Sequence, residues 1–219
     1  VIGSRWVDYT TNRIVGLTAG RQGPGAYNLI APTLSETLLR HAPGSRSVTV
    51  AAEAVSAVVM AGRAGKVFWL DSARCDWVTS PYYAPAVPEW IDRSNRERYN
   101  LSYISTEWRT LLERGRYLNT RNHDIALAGK NRKEQDLNGS GRLKLTGDFE
   151  RLLYTPAGNT AVLGLAKQAI AQYRLGEDKI PDLLNVCLDS PRRISEAYGP
   201  ESIEVEDMYY RLDRDLADF

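Results

Sequence analysis

The sequence predicts an α/β fold in which a mostly parallel sheet is flanked by helices. Two apolar segments are predicted to be buried strands: residues 47–52, rich in valine and alanine, and residues 182–188, a nearly continuous apolar run. Runs of this kind are typical of parallel strands that are covered on both faces. Helical periodicity before and after them, for example over residues 160–175, completes an alternating order of strands and helices.

Length and composition indicate an ordinary folded domain. The chain has 219 residues, 43% of them hydrophobic and 25% charged, which is enough for one sizeable core or two small ones. Its 28 Lys and Arg against 27 Asp and Glu give a formal charge of +1, so no basic surface for nucleic acid is expected. No apolar run reaches the roughly 20 residues of a membrane helix, and no signal peptide opens the chain. We expect neither a nucleic-acid partner nor a membrane span.

The N-terminal part is predicted to combine short β structure with one helix. Residues 1–17 favour irregular or short β structure. The segment Leu34–His41 has helical periodicity, and Thr33 or Ser35 can cap its first turn. Residues 55–60 follow the first buried strand and are compatible with either a helix or a strand.

Two further strands and a polar segment occupy the middle of the chain. Residues 66–70 and 77–79 are predicted to form a short hairpin across the turn between them. A helix is predicted to start at Pro88. Residues 110–148 are polar, so we expect a cap or insertion, which we assign broadly to residues 71–150.

The C-terminal part is predicted to be helix, strand and helix. Helix 160–175 is expected to be amphipathic, with Gly176 at its C-terminal cap. Strand 182–188 is followed by a polar turn. The last helix is predicted to place one apolar face inward: Val205, Met208, Tyr209, Leu212, Leu216 and Phe219. Its acidic residues are predicted to be solvated, with Arg211 and Arg214 as partners: Glu201, Glu204, Glu206, Asp207, Asp213, Asp215 and Asp218.

The cysteines and the aromatic residues are assigned to packing. Cys187 lies in the apolar run and is predicted to be a small buried hydrophobe, whereas Cys75 lies in a polar turn. A disulfide between them is the alternative in an oxidising compartment. An aromatic group is expected to pack beneath a cap, and a ligand platform is its alternative: Trp69, Trp77, Tyr82, Tyr83 and Trp90.

The stretch from Asp182 to Asp213 carries the most specific pattern, DLLNVCLDSPRRISEAYGPESIEVEDMYYRLD. It resembles the alkaline-phosphatase superfamily, in particular the phosphate-irrepressible alkaline phosphatases and the nucleotide pyrophosphatase/phosphodiesterases. The corresponding family pattern is S-x-S-x-x-D-x-x-G-H-x-x-G-P-x-S-x-E-x-x-D-x-x-x-R-x-D, in which the Asp and His before Gly-Pro bind one of two catalytic zinc ions. Those two positions are Arg192 and Glu196 here.

These two replacements argue against a zinc site. Zinc requires deprotonated nitrogen, sulfur or oxygen donors, and a guanidinium stays protonated and has no free lone pair, so Arg192 cannot be a ligand. The other candidate donors show no metal-ligand spacing: His41, His123, Asp189, Cys75 and Cys187. We therefore expect no bound metal, and we expect Asp189 to cap the turn after its strand.

Two further segments resemble the same superfamily with altered site residues. The first eight residues resemble H-G-I-x-G-N-x-W-Y-D, and the family's phosphoryl-holding Asn is Ser4 here. Residues 47–63 resemble V-I-G-I-S-I-K-D-R-A-A-I-L-P-A-G-H, in which the Lys and Arg clamp phosphate; these positions are Glu53 and Val55. A unit charge about 4 Å away is worth roughly 4 kcal/mol at an effective dielectric near 20. We therefore expect a pocket around Glu53 to repel phosphate.

The resemblance implies the central part of one alkaline-phosphatase-like domain, because the nucleophile lies upstream of the first segment and further metal ligands lie downstream of the last helix. Our leading hypothesis is a non-catalytic relative, a pseudoenzyme with a binding or structural role. One alternative is a piece of a metal-dependent phosphomonoesterase or phosphodiesterase, a hydrolase completed by other sequence. Another is a repurposed pocket that binds a cationic or neutral ligand at Glu53 and Glu196.

Partner and location follow from the same resemblance. Strand 182–188 is predicted to have an unpaired edge, because the family's neighbouring central strands are not in this sequence. We expect flanking polypeptide or a second copy of the chain to cover that edge. Family members are exported, so the resemblance implies a periplasmic or cell-surface location.

Overall fold

A mixed sheet flanked by helices organises the chain in the computed structural model, which describes residues 5–8, 10, 12–71, 73–103, 107–118, 142–144 and 150–219. The strands are β1 (Arg5–Asp8), β2 (Arg13–Gly16), β3 (Ser47–Ala51), β4 (Lys66–Asp71), β5 (Asp76–Val78), β6 (Glu107–Arg109), β7 (Arg142–Lys144) and β8 (Leu183–Cys187). The α-helices are α1 (Leu34–His41), α2 (Ala54–Ala61), α3 (Glu89–Arg96), α4 (Glu150–Leu153), α5 (Ala157–Tyr173), α6 (Ser190–Tyr198) and α7 (Ile203–Asp218).

The four-stranded sheet has the order β5-β4-β3-β8. Strand β3 pairs parallel to both β4 and β8, and β5 adds an antiparallel edge. The register places Ala51 opposite Trp69 on one side and Cys187 on the other. The predicted α/β class with a mostly parallel sheet is confirmed. The antiparallel pairs β1–β2 and β6–β7 form separate two-stranded sheets.

Alternate residues along the central strands pack into two different hydrophobic cores, one on each face of the sheet. Val48, Val50 and Phe68 lie in the larger cluster with residues of α3 and α5, whereas Ala51 and Trp69 pack on the opposite face with residues of α2. This is the period of two that a strand covered on both faces requires. All five residues of β3 are buried, but every residue of β8 is only half-buried.

Helix α1 has the bounds predicted from the sequence, and its cap explains why. Thr33 accepts a hydrogen bond from the backbone N–H of Glu36, and the Glu36 carboxylate accepts one from the N–H of Thr33, which completes a capping box. The Glu36 carboxylate also forms an ion pair with Arg63, at 3.1 Å. The ambiguous segment 55–60 belongs to helix α2.

Helix α5 differs from its prediction at both ends. It begins at Ala157, and its C-terminal cap is Arg174, which adopts the left-handed conformation at φ 53°. Gly176, predicted as the cap, lies two residues later. Residues on several sides of the helix are buried, because α5 packs against β3 and β8 and also against α7. Lys167 and Ala171 on the remaining side are exposed, as the amphipathic prediction requires.

Helix α6 was missed by the sequence prediction, which assigned a polar turn to its start. Its second residue is Pro191, and a proline is tolerated in the first helical turn because the N–H there has no intrahelical acceptor. Gly199 ends the helix at φ 91°. The polar composition of the segment is explained by its half-exposed face.

Helix α7 buries residues that the sequence assigned to solvent. Glu204 and Asp207 are buried, whereas Tyr209, Leu216 and Phe219 of the predicted apolar face are exposed. The predicted faces of this helix were therefore wrong at these residues, whereas Val205 and Met208 of the predicted apolar face are buried.

The Asp207 carboxylate of helix α7 holds residues 107–118 against that helix through hydrogen bonds. It accepts hydrogen bonds from the indole N–H of Trp108 at 2.7 Å, the backbone N–H of Leu111 at 2.6 Å and the hydroxyl of Tyr117 at 2.5 Å. Arg211, a predicted partner of the acidic residues, donates to the same carboxylate at 2.7 Å. The pKa of Tyr117 is raised to about 12 by burial and by its bond to Asp207.

The aromatic residues pack into two different clusters, with Trp77 and Trp90 in the larger core and Trp69 and Tyr83 on the opposite face of the sheet. Trp69 and Trp77 are buried, and the indole N–H of Trp77 donates to the side chain of Asn100. Trp90 makes edge-to-face contacts with Phe68 and Tyr173. Tyr82 contacts Tyr27 and Tyr83 in the same manner.

Both cysteines are free thiols, as the packing assignment predicted. Cys75 is buried even though it occupies a turn, and its backbone is left-handed at φ 60°. Cys187 is half-buried at the end of β8. The buried-hydrophobe prediction for Cys187 is therefore confirmed only in part.

The segment 71–150, assigned to a cap or insertion, is described only in part. Strand β5 belongs to the main sheet, and Ile91 of α3 lies in the larger core. Residues 119–141 and 145–149 lie outside the described residues, so the cap assignment stays a prediction. Within the described ranges, no helix is long and apolar enough to cross a membrane.

We predict that Asp207→Asn destabilises the fold and loosens residues 107–118 from α7. An amide cannot accept all of the present bonds, so buried donors lose partners at a cost of about 2 kcal/mol. Urea unfolding followed by tryptophan fluorescence should show this loss. The matched control is Asp213→Asn, an exposed carboxylate on the same helix, which should change stability by less than about 0.5 kcal/mol. Equal effects of the two variants would contradict the role of Asp207.

Candidate functional site

The candidate site lies at the carboxyl ends of β3 and β8. Because Ala51 pairs with Cys187, Glu53 and Asp189 follow their strands by the same number of residues and enter the same region. In open α/β sheets, ligands bind in the crevice at this end of the parallel strands. The site is therefore positioned where the fold would place a ligand.

Four charged side chains form an ion-pair cluster here: Glu53, Arg192, Arg193 and Glu196. Arg192 uses one terminal nitrogen for Glu53, at 2.8 Å, and the other for Glu196, at 2.9 Å. The Nε of Arg193 donates to the other oxygen of Glu53, at 2.5 Å. Both guanidinium groups therefore converge on one carboxylate.

The ion-pair cluster is electrically balanced and lies at the protein surface. Two arginines and two glutamates carry no net formal charge. The side chain of Glu53 is 18% exposed, whereas Arg192 is 49% and Glu196 is 53% exposed. Glu53 is therefore the inner member, held between two cations. From the sequence we expected the charge of Glu53 to repel phosphate; in the structure, Arg192 and Arg193 compensate that charge.

Beneath the ion-pair cluster, the Asp189 carboxylate is buried. It accepts hydrogen bonds from the backbone N–H groups of Ala52 and Glu53, at 3.2 and 3.1 Å, and from the hydroxyl of Ser56, at 2.5 Å. Burial raises the pKa of Asp189, while the hydrogen bond from Ser56 opposes that shift. The prediction that Asp189 caps the turn after its own strand was therefore wrong, because its carboxylate binds the residues that lead into α2 instead.

The thiol next to the site is not activated as a nucleophile. Burial and the neighbouring Asp189 raise the pKa of Cys187 to about 11. A thiol must ionise to attack or to bind a metal. At neutral pH, Cys187 stays protonated and acts as a packing residue.

The donor set at this site does not fit a zinc ion. Arg192 lies between the carboxylates of Glu53 and Glu196, and its guanidinium supplies the cation that these carboxylates bind. Within the described ranges, no three His, Cys, Asp or Glu side chains are grouped so that they could hold a metal. The chemistry of the residues therefore disagrees with the two-zinc site that the resemblance implied.

The structure brings together three of the positions singled out in the sequence, Glu53, Arg192 and Glu196. Val55 lies in the first turn of α2, half-buried, where its side chain offers no polar group. Ser4 lies outside the described residues. Of the two histidines, His41 is exposed at the end of α1 and His123 is also outside the described residues.

Sequence reasoning missed two residues of the site. Arg193 provides the second cation for Glu53, and Ser56 bonds to Asp189. The arginine doublet three and four residues before Glu196 was a usable signal, because both spacings bring side chains together on a helix. No local pattern indicates the bond between Ser56 and Asp189, which are separated by 133 residues.

Comparison with known proteins identifies relatives across most of the chain. A calcium-transporting ATPase of Myroides odoratus is 33% identical over 91% of this chain and 37% of its own length. The alkaline phosphatase PafA of Elizabethkingia meningoseptica is 35% identical over 69% of this chain and 28% of its length. The alkaline phosphatase PhoV of Synechococcus elongatus is 27% identical over 100% of this chain and 42% of its length. No protein-family model matches the chain.

The fold comparison agrees with the sequence comparison. A crystal structure of the alkaline phosphatase PafA aligns with a TM-score of 0.85 and 28% identity, covering 99% of this chain and 45% of that one. The chain therefore spans less than half the length of the relatives it matches.

We predict that Glu53→Gln lowers the free energy of unfolding by about 1–2 kcal/mol at low salt, because two arginines lose their shared carboxylate. The loss should shrink as sodium chloride screens the remaining charges. Glu196→Gln is the matched control, since it removes an exposed ion pair that contributes less than about 1 kcal/mol. Chemical denaturation at two salt concentrations measures both. A larger loss of unfolding free energy for Glu196→Gln than for Glu53→Gln would contradict the assignment of Glu53 as the carboxylate held between the two arginines.

Proposed function

Because the chain belongs to the alkaline-phosphatase superfamily, we propose that it provides a phosphatase-like scaffold that does not carry out two-zinc hydrolysis of phosphate esters. In this proposal it is a pseudoenzyme, and its site region has a binding or structural role. The proposal concerns the part of a superfamily member that this chain spans, which is less than half of the relatives' length.

One observation carries the proposal, the position of Arg192 between Glu53 and Glu196. A phosphate ester is anionic, and a zinc-dependent site attracts it with divalent cations and with positively charged side chains. Here the cationic groups are already bound to carboxylates of the chain itself. A substrate phosphate would have to displace Glu53 from both arginines before it gained any contact with them.

A hydrolase completed by other polypeptide remains the second candidate, since several relatives are named as alkaline phosphatases. Additional sequence could supply a nucleophile and metal ligands. It could not convert Arg192 into a ligand, because a guanidinium has no lone pair to donate. This alternative therefore requires a mechanism with fewer metal ions at this end of the sheet.

We also propose that another polypeptide covers the open edge of β8. Among the strands that the structure describes, β8 is the last of the sheet and is half-buried throughout, while helices cover both of its faces. An uncovered edge presents unpaired backbone groups and apolar side chains to solvent. Flanking polypeptide of the same protein is the favoured occupant, and a second copy is the alternative. By the superfamily resemblance, we place the protein in the periplasm or at the cell surface.

We predict that the chain retains no stoichiometric zinc and hydrolyses no phosphate ester. Dialysis against dilute zinc followed by elemental analysis measures the metal, and release of p-nitrophenol from its phosphate measures turnover. Both should equal the protein-free blank, because the charge of Arg192 opposes a divalent cation. Retention of one or more zinc ions per chain would overturn this prediction.

A double variant provides the sharper form of this test. Arg192→Asp with Glu196→His restores the superfamily's ligand types at these two positions. We expect zinc affinity to rise while turnover stays at the blank, since this pair supplies only part of one metal site. The single Glu196→His variant is the control, and it should gain no zinc affinity while Arg192 is present. Hydrolysis of p-nitrophenyl phosphate by the double variant would contradict the proposal that this chain has a binding or structural role.

We predict that the isolated chain self-associates or exposes apolar surface. A few hundred square ångströms of uncovered apolar surface cost several kcal/mol at about 25 cal/mol per Å2, comparable to the net stability of a domain. Light scattering over a micromolar dilution series should give a mass above the monomer, or a hydrophobic dye should bind to the monomer. A cooperatively melting monomer that binds no dye would contradict the proposed open edge.

A further inference from the structure

Helix α7 exposes a line of apolar side chains. Tyr209, Leu216 and Phe219 are 54%, 51% and 43% exposed, and the half-buried Leu212 lies between them. The four residues follow one another at helical spacings, so they form one line along the helix surface. We call this line the α7 stripe. Contiguous exposed apolar surface of this kind marks a place where another surface binds.

The borders of the α7 stripe are acidic. Asp213 lies on one side of it, four residues after Tyr209 and three before Leu216. Asp215 lies on the other side, four residues before Phe219. Helix α7 as a whole carries six acidic residues against two arginines, so the surface around the α7 stripe is negative.

A second exposed apolar surface surrounds the start of helix α1. Ile30 is 97% exposed, Leu34 is 68% exposed and Tyr27 is 40% exposed. Arg63 holds this stretch next to the helix, because its guanidinium donates to the backbone oxygen of Leu29. We call Tyr27, Ile30 and Leu34 the α1 patch.

The surroundings of the α1 patch are basic. Residues 9–52 contain one acidic residue against four arginines. That acidic residue, Glu36, is buried and forms an ion pair with Arg63 at 3.1 Å. Arg21 and Arg40 are exposed, and neither has an acidic partner among the residues that the structure describes. The α1 patch therefore has the opposite charge to the α7 stripe.

The two surfaces lie on opposite faces of the main sheet. Helix α1 packs against α2, where the hydroxyl of Ser35 donates to the backbone oxygen of Met60 at 3.3 Å, and α2 covers one face. Helix α7 packs against α5, where Thr160 donates to Asp215 at 2.6 Å, and α5 covers the other face. One molecule therefore cannot bring its own two surfaces together.

We propose that the α1 patch of one copy of this chain docks on the α7 stripe of another copy. Apolar side chains form the centre of the contact, and opposite charges at its borders attract and orient the two copies. Two α7 stripes would bring carboxylates together, and two α1 patches would bring arginines together, so both like-with-like contacts are repulsive. The inference goes beyond the proposed function, which uses neither surface.

The association state of the 219-residue chain tests this contact. Sedimentation equilibrium from about 5 to 500 µM should give an average mass that rises past that of a dimer, because a head-to-tail contact leaves one surface free at each end. Raising sodium chloride from about 0.05 to 0.5 M should lower the average mass, because salt screens the bordering charges.

Three matched substitutions locate the contact. Leu34→Gln alters the α1 patch and Leu216→Gln alters the α7 stripe, and each should weaken association by about fivefold or more. Leu118→Gln is the control, since Leu118 is 88% exposed and belongs to neither surface, and it should leave association unchanged. All three leucines are mostly exposed, so each variant should melt within about 2 °C of the native chain.

A mixture of two variants tests the head-to-tail arrangement. Leu34→Gln keeps an intact α7 stripe, and Leu216→Gln keeps an intact α1 patch. An equimolar mixture should therefore associate with the native association constant but stop at a dimer, because the two remaining surfaces are both altered.

The outcomes are distinct. A native chain that stays monomeric at every concentration would overturn the inference, and so would association that neither Leu34→Gln nor Leu216→Gln weakens, which is the result expected for pairing through the edge of β8. Failure of the mixture to recover would also overturn it. Zinc retention or hydrolysis of a phosphate ester by the native chain would overturn the proposed function without changing these masses.

Discussion

The burial of strand β3 is the constraint on which the rest of the structure depends. It pairs in parallel with a strand on each side, and every one of its residues is buried. Each face therefore needs its own cover, which α5 and α2 supply. The parallel pairing also brings the carboxyl ends of β3 and β8 to one edge. Glu53 and Asp189 come together because each follows its strand by two residues, and helix α6, which carries the other members of the ion-pair cluster, begins directly after Asp189.

The charges at positions 53 and 192 are opposite in sign to those that the superfamily resemblance implies. The superfamily resemblance places a cationic residue at position 53 and an anionic one at position 192, whereas this chain has Glu53 and Arg192. The structure shows the two in contact at 2.8 Å. The two residues that differ from the resemblance therefore form an ion pair with each other in this chain. A partly exposed pair of this kind adds little stability by itself, so its main consequence is for ligand chemistry.

The sequence predicts those parts of the fold that depend on short-range signals. Helix α1 is fixed by its own capping box around Thr33 and Glu36, and the parallel strands are marked by their apolar runs. Burial of Asp207 could not be predicted, because its partners lie about a hundred residues away on residues 107–118. At the site, the resemblance identified Glu53 and Arg192. The bond between Ser56 and Asp189 depends on the pairing of β3 with β8, two strands far apart in the sequence, and no short-range pattern indicates that they are neighbours.

The pairing of β3 with β8 also has a consequence for folding. These strands are separated by more than a hundred residues, as the 136-residue spacing between Glu53 and Asp189 indicates. Contacts of such high sequence separation form slowly, because chain entropy is lost before they can stabilise the structure. The same physics makes the intervening polar segment easy to lengthen, since each doubling of a loop costs only about 0.6 kcal/mol. Insertions between these two strands should therefore slow folding more than they weaken the folded state.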